Sequence, residues 1–126
     1  MNKILVIEDD EHVRDSVSLS LESAGYVVME AATCQEGLQS HKQFAPSVII
    51  SDAVSLGNEA GERIRRLCQQ SANLPLITLM GTLSDSELAS SSSSVATSTH
   101  PMSSYTLHKP FTLDELLDMV EGALVR

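Results

Sequence analysis

The chain has few positive charges and no long apolar run, and each shortage excludes a class of function. It carries 8 Lys and Arg against 17 Asp and Glu, a formal net charge of -9. Such a balance argues against direct binding to a nucleic-acid backbone or to an anionic membrane. No apolar run approaches the roughly 18 residues of a membrane span, and no charged-then-apolar leader precedes the first predicted strand. We therefore expect a cytoplasmic protein whose partners are cations or basic proteins.

Cysteine and glycine motifs are also missing. The two cysteines, Cys34 and Cys68, form no CxxC and no Cys/His ligand spacing, so neither a disulfide framework nor a zinc site is indicated. Both are expected to be small core residues. No glycine-rich phosphate loop follows the first predicted strand, which disfavours a flavin or nucleotide binder.

What the chain does contain is a regular alternation of strand and helix signals over one domain, residues 1–126. A domain of this length can bury a sizeable core without disulfides. The predicted strands are Lys3 to Ile7, Tyr26 to Ala31 as an edge strand, Ser47 to Asp52, Pro75 to Met80, and Tyr105 to His108. Strands alternating with helices predict an α/β fold, a parallel sheet with helices on both faces.

The helix signals differ in strength. Capping boxes at Thr33–Glu36 and Thr112–Glu115 start the second and the last helix. The predicted inner faces are Val13, Val17 and Leu21 in the first helix, Ile64, Leu67 and Cys68 in the third, and Leu113, Leu116, Leu117, Val120 and Leu124 in the last. A capping box at Ser84–Glu87 could start a short fourth helix, but the following serine run at Ser90–Ser94 predicts it to be weak.

Acidic side chains stand where two of the buried strands end. Glu8 and Asp9 follow the first strand, and Asp52 ends the third. Ligands of open parallel sheets bind beyond the carboxyl ends of the strands, so these carboxylates are predicted to converge if the strands are neighbours. Their mutual repulsion would favour a hard divalent cation such as Mg²⁺. Asp10 and Glu11 instead suit the capped first turn of the next helix.

Three segments together carry a family resemblance: ILVIEDDEHVR from Ile4, IISDA from Ile49, and HKPFTLDEL from His108. In this combination and order the chain resembles the receiver domain, the CheY-like domain, of bacterial two-component response regulators. The resemblance implies a flavodoxin-like, doubly wound, five-stranded parallel sheet, (βα)5, with strand order 2-1-3-4-5.

The resemblance also implies a role for each acidic residue. Asp52 would be the phosphoacceptor, taking a phosphoryl group from a phosphohistidine on a sensor histidine kinase or a histidine phosphotransfer protein. Glu8 and Asp9 would hold Mg²⁺, with Asp9 the favoured direct ligand, together with Asp52 and the main-chain carbonyl of Val54. Lys109 would contact the phosphoryl group, and in the family its bond to the following proline is cis.

Apart from slow hydrolysis of its own aspartyl phosphate, no enzymatic activity is expected. A phosphohydrolase of the DxD type is disfavoured because the residue two beyond Asp52 is Val54. The resemblance further implies a downstream effector protein or domain. Direct contact of this domain with nucleic acid or membrane is not expected.

Two switch positions depart from the family pattern. Met80 stands where family members have a Thr or Ser hydroxyl, and a thioether cannot donate a hydrogen bond; Thr82 is the alternative hydroxyl. Thr106 stands in place of the usual switch aromatic, and the adjacent Tyr105 should point to the other face of the strand. These departures leave an alternative open: a pseudo-receiver, an interaction module whose phosphorylation switching is impaired or absent.

Overall fold

The computed structural model describes residues 2–70, 74–81 and 104–124, and within them the chain forms five strands and four α-helices. The strands are β1 Lys3–Ile7, β2 Val27–Ala31, β3 Val48–Asp52, β4 Leu76–Met80 and β5 Ser104–His108. The helices are α1 Glu11–Ser23, α2 Cys34–Phe44, α3 Glu59–Gln70 and α4 Leu113–Leu124, with a 3₁₀ turn at Ser55–Gly57. None of these helices is long and apolar enough to cross a membrane.

All five strands are parallel and lie in the order β2-β1-β3-β4-β5. This confirms the predicted flavodoxin-like sheet, and β2 is an edge strand as expected. The strand order reverses between β1 and β3, which pair from Ile4 with Val48 to Ile7 with Ser51. Ligand sites of doubly wound sheets form outside the carboxyl ends of the strands at such a reversal.

The core consists of two layers because successive side chains of a strand point to opposite faces of the sheet. Ile4 and Val6 of β1 pack on the face covered by α1 and α4, and Leu5 and Ile7 pack on the face covered by α2 and α3. Ile4 to Ile7 have no exposed surface, as predicted for a central strand. Four helices in two layers therefore hold the carboxyl ends of β1 and β3 in fixed positions.

Cys34 and Cys68 are buried in the α2–α3 layer and form no disulfide, which confirms them as core residues. Burial raises the pKa of the Cys68 thiol to about 12, so this thiol stays protonated at neutral pH.

Local capping explains where the helices begin. The Asp10 carboxylate accepts hydrogen bonds from the main-chain N–H groups of His12 and Val13 at the start of α1, as predicted. Thr112 and Glu115 form a reciprocal capping box at the start of α4, with N···O distances of 2.8 and 3.1 Å.

Several predicted details were wrong or lie outside the described residues. Leu113, predicted on the inner stripe of the last helix, is 47% exposed. It is the first residue of α4, and the buried stripe begins one turn later at Leu116. Thr82 and the predicted helix from Ser84 lie outside the described residues, as does the serine run.

A pair of glycine substitutions tests the packing of the helices. A Cβ at Gly61 in α3 would overlap the main chain of Leu56, whereas a Cβ at Gly122 in α4 would meet nothing within 4 Å. Gly61→Ala should lower the free energy of unfolding by about 2 kcal/mol, and Gly122→Ala should raise it by about 0.5 to 1 kcal/mol. Urea unfolding measures both. Equal effects of the two substitutions would contradict the packing described.

Candidate functional site

Three carboxylates meet at the carboxyl end of the sheet. Glu8 and Asp9 directly follow β1, Asp52 is the last residue of β3, and one oxygen from each lies within 4.8 Å of the others. The pairing of Ile7 with Ser51 places Glu8 and Asp52 at the same level of adjacent strands. The sequence predicted this convergence, and the topology explains it.

Asp52 is 4% exposed, and its two oxygens have different surroundings. Oδ2 accepts a hydrogen bond of 3.0 Å from the main-chain N–H of Ser55 in the 3₁₀ turn. Oδ1 is buried and has no hydrogen-bond partner among the described residues. A buried carboxylate oxygen without a donor is costly. Oδ1 is therefore the oxygen that a cation or a reacting group would satisfy.

Glu8 is 1% exposed and carries the main ion pair of the site. Its Oε1 accepts a hydrogen bond from the Lys109 ammonium at 3.1 Å, and its Oε2 accepts one from the main-chain N–H of Asp10 at 3.2 Å. Burial, together with repulsion from Asp52, raises the pKa of the Glu8 carboxyl above its ordinary value, although both hydrogen bonds act in the opposite direction. The carboxyl-rich pocket thus disfavours accumulated negative charge and favours a cation.

Lys109 reaches this pocket from the end of β5. Its main-chain N–H donates to the carbonyl of Met80 at 2.7 Å, which ties it to the end of β4. The bond from Lys109 to Pro110 is cis, as the family resemblance implied. Among the described residues the ammonium pairs with Glu8 and makes no ion pair with Asp52. The Lys109 side chain is 26% exposed, so it also borders the mouth of the pocket.

The remaining proposed metal ligands are accessible. Asp9 is exposed. Val54 is 80% exposed, and its main-chain carbonyl accepts a hydrogen bond from the N–H of Gly57 at 3.1 Å. A carbonyl oxygen has two lone pairs, so this bond leaves one available. Three carboxylates and a carbonyl form an all-oxygen donor set, which suits Mg²⁺, and a cation near Asp52 would compensate the buried carboxylate whose Oδ1 has no donor among the described residues.

The Cys34 thiol lies beside the 3₁₀ turn that holds Asp52. The Cys34 Sγ donates a hydrogen bond to the carbonyl of Ser55 at 3.2 Å, and Ser55 is the residue whose N–H holds Asp52. Burial raises the pKa of the Cys34 thiol, so the thiol stays protonated and able to donate. It therefore steadies the loop that orients Asp52.

Arg14 is a site residue that the sequence did not reveal. Its Nη1 donates to the main-chain carbonyl of Glu8 at 2.7 Å, and its Nε lies 3.4 Å from a carboxylate oxygen of Glu30 on β2. The side chain therefore joins α1 to the ends of β1 and β2. The spacing from Glu8 to Arg14 gives no signal for such a contact, because the acceptor is a main-chain carbonyl.

The two predicted switch positions lie on neighbouring strands, Met80 at the end of β4 and Thr106 in the middle of β5, where it pairs with Thr78. Met80 is half-buried at the end of β4, and Thr106 on β5 is exposed. Tyr105 packs against the α1–α4 core, which is the face opposite to Thr106. Position 106 therefore carries a hydroxyl and no aromatic ring, and the ring of Tyr105 lies on the other face of β5.

Comparison with known protein families matches residues 4–121 to the response regulator receiver domain. The KDP operon transcriptional regulatory protein KdpE of Escherichia coli is 33% identical over 126 residues, which cover 100% of this chain and 52% of that protein. The DNA-binding dual master transcriptional regulator RpaA of Synechocystis is 31% identical over 131 residues, covering 100% of this chain and 50% of that protein. The chain thus spans about half the length of these relatives.

Two solved structures have folds similar to that of this chain. The chemotaxis protein CheY4 of Vibrio cholerae has a TM-score of 0.71 and 28% identity, over 98% of this chain and 99% of that one. A CheY-like receiver domain protein of Methanospirillum hungatei has a TM-score of 0.74 and 24% identity, over 99% and 94% of the two chains, and shows the fold alone.

The contact of Arg14 with the Glu8 carbonyl is open to a direct test. Arg14→Ala should lower the free energy of unfolding by about 1 to 2 kcal/mol, because a charged hydrogen bond to a main-chain acceptor is lost. Arg65→Ala, on the exposed surface of α3, should change it by less than about 0.5 kcal/mol. Urea unfolding at matched pH and salt gives both values. A loss no larger for Arg14 than for Arg65 would show that the contact is dispensable.

Proposed function

The chain belongs to the response regulator receiver domain family, and we propose that it accepts a phosphoryl group on Asp52 from a phosphohistidine. Receiver domains are signalling modules of two-component systems, and response regulators work with histidine kinases and effectors. For this chain the proposed donor is a sensor histidine kinase or a histidine phosphotransfer protein.

The observation that carries the proposal is the asymmetry of the Asp52 carboxylate. The N–H of Ser55 holds Oδ2, while Oδ1 has no partner among the described residues and lies in the carboxylate cluster. A nucleophile needs a defined orientation and a free lone pair. Oδ1 has both, so it is the proposed attacking atom.

The proposed transfer exchanges one bond to phosphorus for another. Oδ1 of Asp52 forms a bond to phosphorus as the bond from phosphorus to the donor's imidazole nitrogen breaks. The imidazole nitrogen keeps the bonding electron pair. The ring leaves as neutral imidazole when its other nitrogen carries a proton, and otherwise takes up a proton from solvent. Phosphoryl transfer passes through a loose transition state, so the protein contributes mainly alignment and charge neutralisation.

A divalent cation would supply much of that neutralisation. Receiver domains bind Mg²⁺ at an acidic pocket, and Glu8, Asp9 and Asp52 form such a pocket in this chain. We assign Mg²⁺ to Asp9, Asp52 and the Val54 carbonyl, with Glu8 contributing negative charge from its buried position. The bound ion would neutralise oxygens of the phosphoryl group.

Lys109 is the proposed second source of positive charge. Its ammonium is held 3.1 Å from a carboxylate oxygen of Glu8, and the side chain is partly exposed at the mouth of the pocket. An incoming phosphoryl group brings about 1.5 to 2 negative charges, which would compete with Glu8 for the ammonium. Lys109 would then contact a phosphoryl oxygen.

The alternative function is a pseudo-receiver, a domain that keeps the pocket but transmits little. Met80 cannot donate a hydrogen bond to a phosphoryl oxygen, and Thr106 is exposed with Tyr105 packed on the opposite face. A conformational response requires contacts that differ between two states. Position 80 lacks the usual hydroxyl and position 106 lacks the usual aromatic ring, so these residues do not supply such contacts.

A longer protein would carry the output. The relatives are about twice as long as this chain, and RpaA is named as DNA-binding. For this chain we propose a downstream effector protein or domain that reads the phosphorylated state. The domain itself is not proposed to bind nucleic acid, since α1 and α4 carry seven acids and one arginine.

Phosphoryl uptake tests the assignment of Asp52. With acetyl phosphate and Mg²⁺, the native protein should gain the mass of one phosphoryl group, and Asp52→Asn should gain none because a neutral amide replaces the nucleophilic carboxylate. Asp114→Asn, an exposed acid on α4, is the matched control and should behave as the native protein. Intact-mass spectrometry measures all three. Uptake by Asp52→Asn, or no uptake by the native protein, rules the assignment out.

Amide NMR with beryllofluoride and Mg²⁺ separates a signalling receiver from a pseudo-receiver. We expect large shifts near Asp52 and small shifts at Met80 and Thr106, because neither side chain gains a contact. Met80→Thr restores a hydroxyl and should enlarge the shifts along β5. Native shifts at Met80 and Thr106 as large as those at Asp52 would contradict impaired transmission.

A further inference from the structure

The positive charge of this acidic chain is concentrated in one of its two helical layers. Helices α1 and α4 carry seven Asp and Glu and one Arg, whereas α2 and α3 carry three Glu and four Lys and Arg. These layers cover opposite faces of the sheet. The α2–α3 surface is therefore electrostatically unlike the rest of the described molecule.

A groove of about 710 Å³ runs between α2 and α3 on this surface. Lys42 from α2 and Arg63 and Arg66 from α3 line it, and Leu38 and Leu67 are its apolar residues. Its other lining residues are three glutamines and one histidine, so no acid lines it. Glu8, Asp9 and Asp52 are not among its lining residues, so the groove is separate from the phosphoacceptor pocket.

The cations of the groove are available to a partner. Arg63 and Arg66 are about two-thirds exposed and pair only with Glu59 and Glu62 of their own helix, at 3.5 and 3.8 Å, among the described residues. Exposed i,i+4 pairs contribute about 0.3 to 0.5 kcal/mol. Exchanging them for carboxylates of a partner therefore costs little.

We propose that the α2–α3 groove binds an acidic segment of another protein, an amphipathic helix with aliphatic side chains on one face and carboxylates beside them. The aliphatic side chains would cover Leu38 and Leu67, and the carboxylates would meet Lys42, Arg63 and Arg66. The lining helices have 11 and 12 residues, about 17 Å at 1.5 Å per residue, which suits a partner helix of about three turns.

Charge complementarity favours this occupant over a nucleic acid. Lys42, Arg63 and Arg66 are the lysine and arginine residues that line the groove, and the whole chain has a net charge of -9. A long polyanion would extend beyond the groove into a repulsive field. A short acidic helix confines its charge to the groove. The proposal does not depend on phosphorylation of Asp52, so the two can fail separately.

The test uses the full chain and two synthetic peptides. One is a 12-residue helical peptide with leucines at i, i+4 and i+8 and glutamates beside them; the other has glutamine in place of each glutamate. Calorimetry and amide NMR should show saturable binding of the glutamate peptide, with shifts along α2 and α3. The glutamine peptide should bind at least about tenfold more weakly, since the ionic contacts are lost.

Matched variants locate the site. Lys42→Gln/Arg63→Gln/Arg66→Gln should weaken binding of the glutamate peptide at least about tenfold. Arg65→Gln, on the same helix but outside the groove lining, should change it by less than about twofold. Circular dichroism should show the same helix content in both variants.

Several results would overturn the proposal. They are the absence of glutamate-peptide binding, shifts confined to α1 and α4, equal binding of the two peptides, and an equal loss in Arg65→Gln. Stronger binding of a DNA oligonucleotide to the groove would assign it to another ligand. Self-association in sedimentation that the triple variant abolishes would assign it to a second copy of the chain.

Discussion

The concentration of carboxylates at the carboxyl ends of the central strands is the constraint around which this domain is arranged. Strands β1 and β3 are adjacent and almost wholly buried, so Glu8 and Asp52 are held beside one another with little access to water. Like charges in such a place are unfavourable unless cations compensate. The Glu8–Lys109 ion pair and the main-chain donors of Asp10 and Ser55 offset part of that cost, and the partnerless Oδ1 of Asp52 shows what they leave unsatisfied.

The location of the cluster was predictable because it depends on strand ends. Apolar runs define β1 and β3. Because the two strands are parallel and adjacent, the acids that end them must lie side by side at the same end of the strands. The resemblance supplied the strand order. The sequence could not show that Lys109 pairs with Glu8, because that pairing depends on side-chain distances at the end of β5.

Contacts to the main chain were the least predictable part of the site. Arg14 binds the carbonyl of Glu8, and the N–H of Ser55 binds Asp52. Outside helix caps, where a residue such as Asp10 or Thr112 marks the contact, main-chain groups occur at every residue, so no residue type reveals which of them is bound. The exposure of Leu113 was missed for a different reason. Helical periodicity predicts the direction in which a side chain points, but burial also requires a neighbouring element beside that turn, and in this helix the buried residues begin one turn later at Leu116.

The net charge of the chain has the same sign as the pocket but does not describe the whole surface. Ionic interactions fall off within about 8 to 10 Å at physiological salt, so a ligand responds to the groups beside it more than to a total of -9. At the carboxyl ends of the strands those groups are Glu8, Asp9 and Asp52, and their negative charge favours a cation. Along α2 and α3 they are Lys42, Arg63 and Arg66, and they select the opposite charge. The acidic pocket and the α2–α3 groove share no lining residues. A substitution in the pocket therefore leaves the groups around the groove unchanged, and the reverse holds, so the chemistry of the pocket and the recognition of a partner can be altered independently.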